Sequence, residues 1–340
     1  MSELIRAGEG GFRPEDYITD WYLPDQNALK GFFYPNAVVI EDHPRLFTLV
    51  SNLVKKCREK THDGSVEFVV REANRSYRGH VIETIEGKYY ALRRLPDTLP
   101  SLEKLGIEPA IQQILMHPEL SKGGLILICG ETGQGKSTTC AATIKDRMEK
   151  LGAFCLTVED PPEMPLHGHH GAGRCLQTEV RNGEWAEAMR GAMRCYPTVS
   201  GSMLYVGETR DAPAAAEVLR IALNGHLVLT TIHADNIENA VKRFMSMAQA
   251  APMPENEVKQ IMASCFRLCL HQELKKIPAT STEPERRKLK INFLFSPNVR
   301  SPVAQQLKNK EGCSLNNEIQ IQQMTLKNQG ADAIMKMFKM

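Results

Sequence analysis

The stretch GGLILICGETGQGKSTT, residues 123–139, joins a short apolar segment to a run rich in glycine. Its five apolar residues, Leu125 to Cys129, are bounded by glycines and predict a fully buried strand of a parallel sheet. Residues 130–137, GETGQGKS, have the spacing of two glycines, a lysine and a hydroxyl residue that defines a P-loop. The next residues, 138–151, are compatible with a helix. Because a P-loop requires a strand before it and a helix after it, this context favours a P-loop over a glycine-rich turn beside an ordinary lysine.

Each residue type in this run suits the binding of phosphate. The glycines let the backbone wrap around phosphate oxygens, and the helix that follows offers unpaired N–H groups and the positive end of its dipole. Lys136 is expected to reach the β- and γ-phosphates of ATP, and Ser137 to bind Mg²⁺. The predicted nucleotide-binding residues are Gly130, Glu131, Thr132, Gly133, Gln134, Gly135, Lys136, Ser137 and Thr138.

Length and composition narrow the class of protein. A chain of 340 residues predicts two domains. The net charge of +2 and the aromatic content of 6% do not indicate a basic, aromatic surface for nucleic acid. The nine cysteines include no C-x-x-C pair, so we expect buried free thiols in a reducing compartment. The start of the chain lacks the apolar core of a signal peptide, and no run approaches the roughly 18 apolar residues of a membrane span. We therefore expect a soluble, cytoplasmic protein.

The first third of the chain predicts a small domain of its own. We interpret residues 1–40 as an irregular lead-in. From His43 onward, Leu46, Leu49, Val50, Leu53 and Val54 recur at helical spacing and predict a core-facing helix. Three strand-like segments follow, at 65–71, 77–84 and 88–95. Residues 41–97 are therefore expected to form a small α+β domain, and the proline-containing residues 98–122 a linker with short helices.

The remainder predicts an α/β domain. Apolar strands alternate with helical segments, which indicates parallel crossovers and a RecA-like, doubly wound sheet over residues 123–257. Residues 167–174 are interpreted as a glycine-rich loop, and residues 258–340 as a helical C-terminal region. The predicted strands are 153–158, 203–206, 225–232 and 288–295, and the predicted helices are 184–195, 212–223, 258–274 and a polar tail from Glu318.

Two acidic clusters follow predicted strands. Glu159, Asp160 and Glu163 come after one strand, and Glu208 and Asp211 after another. Ligand sites of such sheets lie at the carboxyl ends of the strands. ATP hydrolysis needs carboxylates to hold Mg²⁺ and to orient the attacking water. The predicted metal ligands are Ser137, Glu208, Glu159 and Asp160. A solvated strand end or a helix cap would explain either cluster alone, but both beside a P-loop favour the catalytic interpretation.

Histidines mark a third strand. His226 and His233 stand seven residues apart, which places them on opposite faces unless one has left the strand. His233, at the carboxyl end, is the better candidate to contact a γ-phosphate. His167, His169 and His170 lack a companion cysteine or carboxylate at metal-ligand spacing, so a structural role is favoured over a metal site.

The order of four segments resembles that of the secretion and pilus motor ATPases. GETGQGKSTT, TVEDPPE, LYVGETRD and GHLVLTTIHA are similar to the Walker A motif, Asp box, Walker B variant and His box of that family, and together they lie within residues 123–235. Weaker similarity extends to LRRLP with LEKLG, to FRLCLHQEL and to LFSPNVR. The chain lacks the four-cysteine zinc insertion of the assembly-type ATPases. It resembles the branches typified by PilT and by DotB/TraJ, and FRLCLHQEL with LFSPNVR leans toward the second.

The resemblance implies roles for individual residues. It implies a homohexamer that binds ATP between a PAS-like and a RecA-like domain. Glu163 would be the general base or the acid that orients the attacking water, and Glu208 the Walker B glutamate. His226 and His233 would be the His-box pair. Among arginines that reach the phosphates in relatives, Arg93 matches best, Arg78 and Arg71 are weaker, and Arg210 would be an intersubunit or sensor residue. The predicted catalytic set is Glu163, Glu208, Lys136, His233 and Arg93, and the further nucleotide contacts are His226, Arg210 and Arg78.

The resulting functional hypothesis is a hexameric ATPase that powers a membrane-spanning type IV secretion or conjugation system. The resemblance implies that it binds inner-membrane platform or channel proteins and associates peripherally with the membrane. A pilus-retraction ATPase is the alternative. A RecA-like nucleic-acid translocase and a nucleotide-binding subunit without hydrolysis are hypotheses of other classes. The basic segment 283–290, EPERRKLK, is interpreted as a solvated loop or as a surface for acidic partners or anionic lipid.

Overall fold

The computed structural model describes residues 18–180, 183–197, 202–277, 286–309 and 314–336. The chain divides into two compact units. The first comprises Met1–Thr98 with Pro161–Pro165, and the second Leu99–Asp160 with Leu166–Met340. In the described residues, no helix is long and apolar enough to cross a membrane.

The first unit is a six-stranded antiparallel sheet with one long helix. The strands lie in the order β3-β2-β1-β6-β5-β4. Its elements are β1 (Asp20–Pro24), β2 (Phe32–Tyr34), β3 (Val38–Val39), α1 (Phe47–Lys60), β4 (Glu67–Glu72), β5 (Arg75–Thr84) and β6 (Gly87–Arg94). The helix buries Val50, Leu53 and Val54. The expected α+β class, the helix and its three following strands are confirmed.

The interpretation of residues 18–40 as irregular is wrong. Trp21, Leu23 and Phe33, from β1 and β2, belong to the core of the first unit and are almost fully buried. These strands have five or fewer residues. Such short segments show little periodicity, and pairing with β6 places β1 inside the sheet. Residues 1–17 of the predicted lead-in lie outside the described residues.

The second unit is built on a mixed sheet of eight strands. Their order is β14-β13-β7-β12-β11-β8-β10-β9. Its elements are α2 (Pro109–Leu115), β7 (Gly124–Cys129), α3 (Lys136–Leu151), β8 (Phe154–Glu159), β9 (Gly168–His170), β10 (Gly173–Glu179), α4 (Trp185–Met193), β11 (Ser202–Val206), α5 (Ala212–Leu223), β12 (Leu227–Ile232), α6 (Ile237–Ala250), α7 (Glu255–Cys265), β13 (Phe266–Ile277), β14 (Arg286–Phe295), α8 (Pro302–Lys308), α9 (Asn316–Gln329) and α10 (Ala331–Lys336). A 3₁₀ helix, Pro118–Lys122, precedes β7.

Six consecutive strands of this sheet, from β13 to β10, are parallel to their neighbours. Only the two outermost strands, β14 and β9, pair antiparallel among the described residues. Every residue of β7, β11 and β12 is buried, as continuous apolar segments of a covered parallel sheet should be. The predicted parallel-rich α/β architecture is confirmed.

Two sequence-based assignments in this unit are wrong. The predicted helix 258–274 ends at Cys265, and Phe266–Ile277 is a strand parallel to β7. The C-terminal region therefore contributes two strands to the sheet in addition to its helices. The predicted loop 167–174 includes β9 and the start of β10, which pair with each other as an antiparallel hairpin. In both cases pairing with a neighbouring strand, which local periodicity cannot show, decides the structure.

Helix α3, which follows the P-loop, forms buried hydrogen bonds with the segment that precedes β7. Arg147 of α3 is fully buried, and its guanidinium donates to the carbonyl oxygens of Leu115 and His117 at 2.7 and 3.2 Å and to Ser121 Oγ at 2.8 Å. Burial lowers the pKa of Arg147 to about 10. Its neighbour Asp146 accepts a hydrogen bond from the Leu102 N–H at 3.0 Å. Residues 102–121 are therefore attached to α3 by buried polar contacts.

Candidate functional site

The loop between β7 and α3 has a backbone that requires glycine. Gly130, Gly133 and Gly135 have φ values of 147°, 78° and 80°. Residues other than glycine rarely adopt such positive φ values, because their Cβ atom clashes with the backbone. A Cβ at Gly130 would also lie 2.5 Å from the carbonyl oxygen of Gln272. Ser137 and Thr138 follow in the first turn of α3, whose N-terminal N–H groups favour an anion. The cradle therefore fits a nucleotide phosphate.

Lys136 lies folded over this loop. It is 7% exposed, and its Nζ donates to the carbonyl oxygens of Gly130 and Glu131 at 2.9 and 2.7 Å. The same Nζ is 3.4 Å from Nδ1 of His233. A largely desolvated ammonium gains more from an anion than an exposed one does. Lys136 therefore supplies a strong positive charge at the predicted phosphate site.

Glu208 and His233 lie next to Lys136 because their strands are neighbours. Glu208 follows β11 and His233 follows β12 at the same edge of the sheet. Oε1 of Glu208 is 3.3 Å from Nε2 of His233, and its Oε2 accepts a hydrogen bond from Arg210 Nε at 2.9 Å. The structure thus brings together three predicted catalytic residues, and it pairs the predicted sensor Arg210 with the predicted Walker B glutamate.

The environment of His233 favours the neutral imidazole. Burial lowers its pKa first, the ammonium of Lys136 lowers it further, and the carboxylate of Glu208 opposes both. Arg243 and Arg210 add smaller lowering effects. The geometry assigns the tautomer in which Nε2–H donates to Glu208 and Nδ1 faces the ammonium of Lys136. His233 can therefore respond to any anion that draws Lys136 away.

The other predicted carboxylates occupy different positions. Glu159 ends β8, is 3% exposed and accepts a hydrogen bond from Gln177 Nε2 at 2.9 Å. Asp160 follows it and is half-buried. Both lie at the carboxyl edge of the sheet, as predicted. Asp211 instead caps α5 by accepting from the Ala214 N–H at 2.8 Å. Its helix-cap role is the alternative that the sequence had left open.

A cleft of about 500 Å³ opens beside His233. Glu131 and Thr132 of the loop line one part of it, and Lys242 and Arg243 of α6 line another. Arg243 Nη1 donates to the carbonyl oxygen of His233 at 2.8 Å. These two basic residues were missed in the sequence. They lie on α6, the helix that follows the His box. Only the packing of α6 at the carboxyl edge of the sheet brings them to the cleft.

His226 does not lie at the P-loop of this unit. It precedes β12, at the amino end of the strand, where its carbonyl oxygen accepts from the Gly124 N–H at 3.1 Å. The six residues of β12 separate that end from the edge at which the P-loop lies, roughly 20 Å at strand rise. Its Nδ1 is 2.6 Å from Ser202 Oγ. His226 thus lies at the opposite edge of the sheet from the P-loop of the same unit, and its contact with a nucleotide stays a prediction.

Three further predicted residues meet within the first unit. Glu163 belongs to the segment that groups with the N-terminal residues, and its Oε1 accepts from Arg78 Nη1 at 2.8 Å. Arg78 also pairs with Glu67 at 3.1 Å. Arg93 donates to Asp20 at 2.8 Å and is 74% exposed. A cleft of about 420 Å³ is lined by Arg78, Arg93 and Glu163. Arg71 is an exposed residue of β4. Nucleotide contact by these arginines stays a prediction.

The three histidines of β9 and its approach bind other protein groups. His167 Nδ1 accepts from the Gln177 N–H at 3.2 Å, His169 contacts Arg174, and His170 Nε2 is 2.8 Å from the Leu166 carbonyl oxygen. Over the described ranges, no three His, Cys, Asp or Glu side chains are grouped to hold a metal ion by themselves.

Gln272 of β13 is a further site residue that the sequence analysis missed. It is 1% exposed, and its Nε2 donates to the Gln134 carbonyl oxygen of the P-loop at 2.5 Å. The predicted helix 258–274 concealed it. The alternation of Phe266, Leu268 and Leu270 with less apolar residues was the available signal for a strand.

Comparison with known proteins identifies the family. The sequence profile of the Type II/IV secretion system proteins matches residues 49–337. The chain belongs to this family. An uncharacterized protein of Escherichia coli (strain K12), YggR, is 34% identical over 217 residues, which are 62% of this chain and 62% of that protein. The type IV pilus ATPase PilU of Pseudomonas aeruginosa is 32% identical over 154 residues, which are 45% of this chain and 38% of that protein. The match thus spans less than two thirds of these curated relatives.

Two solved structures share the fold. The pilus retraction motor PilT with bound ADP has a TM-score of 0.69 at 23% identity, covering 96% of this chain and 88% of that one. The ATPase DotB of Legionella pneumophila has a TM-score of 0.65 at 20% identity, covering 92% and 84%. These structures confirm the predicted fold, and the family profile confirms the predicted superfamily.

The contacts of His233 predict opposite effects of two substitutions on its pKa. Lys136→Met removes the nearby positive charge and should raise the pKa of His233 toward its ordinary value of 6.5. Glu208→Gln removes the carboxylate that raises this pKa and should lower it further. Titration of ¹⁵N-histidine-labelled protein by NMR measures both.

His226 is the internal control for that titration. Burial alone lowers its pKa, and it lies at the other end of β12. Its titration should be the same in wild type and both variants. If the pKa of His233 moved in the same direction in Lys136→Met and Glu208→Gln, the proposed arrangement of charges would be incorrect.

Proposed function

We propose that this protein is a motor ATPase that hydrolyses ATP to ADP and phosphate. The observation that carries the proposal is the convergence of Lys136, Glu208 and His233 beside a glycine-dependent P-loop. The relatives named as pilus ATPases, and the fold shared with an ADP-bound motor, support it. The nucleotide phosphates would lie against residues 130–138.

Each polar residue at this edge has a distinct proposed role. Lys136 would compensate the charge of the phosphates, and His233 would respond to their presence through its contacts with Lys136 and Glu208. Ser137, Glu208, Glu159 and Asp160 would hold Mg²⁺, which neutralises phosphate charge when bound. Glu163 is proposed as the residue that orients the attacking water, on the likeness of its Asp box to that of the family.

ATP turnover tests the proposal directly. Lys136→Ala and Glu208→Gln should each lower phosphate release by about 100-fold or more. The first removes the ammonium that would compensate the phosphate charge, and the second removes a carboxylate that would hold Mg²⁺. Lys150→Ala, at the exposed C-terminal end of the same helix, is the matched control and should keep the wild-type rate. Wild-type turnover in either P-loop variant, with wild-type thermal unfolding, would refute the proposed site.

The proposed assembly is a homohexamer bound peripherally to inner-membrane components of a type IV secretion or conjugation machine. The segments 266–274 and 294–300 favour this branch by their likeness to the DotB/TraJ side. A pilus-retraction motor is the second candidate, supported by the fold shared with PilT. A nucleic-acid translocase is the third, and strong stimulation of turnover by single-stranded DNA would favour it.

Solution mass tests the assembly. With Mg²⁺ and a non-hydrolysable ATP analogue, light scattering should give about six times the chain mass of 38.1 kDa. The chain without nucleotide and the Lys136→Ala protein are the comparisons. A monomer under all conditions would exclude the hexamer.

Replacement of the native gene distinguishes the machines. A Lys136→Ala allele should abolish conjugative transfer or effector secretion and leave twitching motility at the wild-type level, because a motor that cannot use ATP stops only its own machine. A Lys150→Ala allele controls for expression. Loss of motility with normal transfer would instead support the retraction alternative.

A further inference from the structure

The P-loop lies beside β13 in the place that β7 would occupy if it were longer. The last paired residues of these two strands are Cys129 and His271. Beyond that pair, β13 runs on to Ile277, paired only with β14 in the described sheet. Gln134 of the P-loop occupies the vacated side, where its Oε1 accepts the N–H of Leu274. The loop therefore takes over a hydrogen bond that a longer β7 would have made.

A second contact runs in the opposite direction. Nε2 of Gln272 donates to the main-chain oxygen of Gln134 at 2.5 Å. Each glutamine side chain thus binds the other segment's backbone, and we call these two hydrogen bonds the glutamine clamp. Gly130 adds close packing, since a Cβ there would lie 2.5 Å from the Gln272 carbonyl oxygen.

Peptide geometry shows what the clamp controls. In a planar trans peptide the C=O and the next N–H point in opposite directions. When Gln272 holds the Gln134 carbonyl oxygen, the N–H of Gly135 must point away from β13. Gly135 has φ of 80° and lacks a side chain, so nothing of its own prevents this peptide from turning over. Gln272 therefore fixes the direction of one P-loop donor.

The buried position of Gln272 is unfavourable for one of its two polar side-chain atoms. It is 1% exposed, and its Oε1 has no hydrogen-bond partner among the described residues. A buried acceptor without a partner lowers the stability of the folded state, because it has lost its hydrogen bonds to water. An apolar side chain of similar length would avoid this cost. The amide is therefore better explained by its contact with the P-loop than by stability.

We propose that Gln272 is a positioning residue that orients the Gly135 N–H for nucleotide phosphates and couples the hairpin β13–β14 to the P-loop. This inference rests on the proposed function, because it requires a nucleotide in the loop. The residue does not touch the reacting atoms. Its effect should therefore appear in nucleotide affinity more than in the rate of the bound complex.

Gln272→Met tests the orientation. It should raise the Kd for Mg·ADP and the KM for ATP by about five- to tenfold, which is what one lost hydrogen bond to a positioned group is worth. The kcat should change by less than about twofold, since a group that supports substrate and transition state equally affects KM alone. Gln134→Met keeps the main-chain oxygen that Gln272 binds, so it should raise the Kd for Mg·ADP less than Gln272→Met does.

Gln322 provides a matched control. It is also buried, 4% exposed, and makes two hydrogen bonds of 2.8 Å to the backbone of Phe295, in β14. Both of its polar atoms are satisfied, so Gln322→Met should lower thermal stability at least as much as Gln272→Met. It should leave the Kd for Mg·ADP unchanged. A Kd that followed stability across these variants would overturn the positioning role.

Hydrogen exchange of the wild-type protein tests the coupling without any variant. Mg·ADP should slow exchange of the amides at 272–277, including that of Leu274, and Gln134→Met should remove this protection. Unchanged exchange in β13 when Mg·ADP is bound would overturn the coupling. If wild type bound neither Mg·ADP nor Mg·ATP, the proposed function itself would fail, and tight binding by Gln272→Met would refute only the clamp.

Discussion

The site depends on the parallel alignment of β7, β12, β11 and β8 as adjacent strands. Parallel neighbours end at one edge, so residues that follow different strands become close although the chain separates them widely. Lys136 and His233 are 97 positions apart and come within 3.4 Å. Glu208, which follows β11, lies beside His233. We call Lys136, His233 and Glu208 the catalytic-edge row, or the row. A register shift between these strands would move the three residues apart. The buried apolar residues that fix the register therefore determine the geometry of the site as well as the stability of the sheet.

The row has an uneven charge distribution. Lys136 is buried against carbonyl oxygens, and Glu208 already divides its carboxylate between His233 and Arg210. Arg243 adds a further cation on the other side of His233. Positive charge therefore exceeds the carboxylate charge in direct contact with it. Such an arrangement favours a polyanionic ligand, because a triphosphate relieves repulsion among cations that the protein backbone relieves only in part.

The elements and site residues that the sequence predicted correctly are those marked by a local sequence pattern. The P-loop, its strand and its helix were correct because glycine spacing and a continuous apolar run are local. The strands of residues 18–40 were missed because they are short and because the pairing of β1 with the distant β6 sets their place in the sheet. His226 was assigned to the nucleotide from a motif, yet the length of β12 places it at the far end. Arg243 and Gln272 carried no local signal of a site, since only the folded sheet brings them to the loop.

The error at residues 266–274 matters most for the mechanism. As a helix, this segment would leave β7 at the boundary of the sheet and the P-loop free on one side. As β13, it places β7 inside the sheet and supplies the backbone against which Gly130 packs. The requirement for glycine at 130 then has two causes, its φ and the nearness of the Gln272 carbonyl oxygen. A loop bounded in this way is shaped by the C-terminal hairpin as well as by its own sequence. The conformation of the P-loop is thus a property of the folded sheet, in which the C-terminal strands take part.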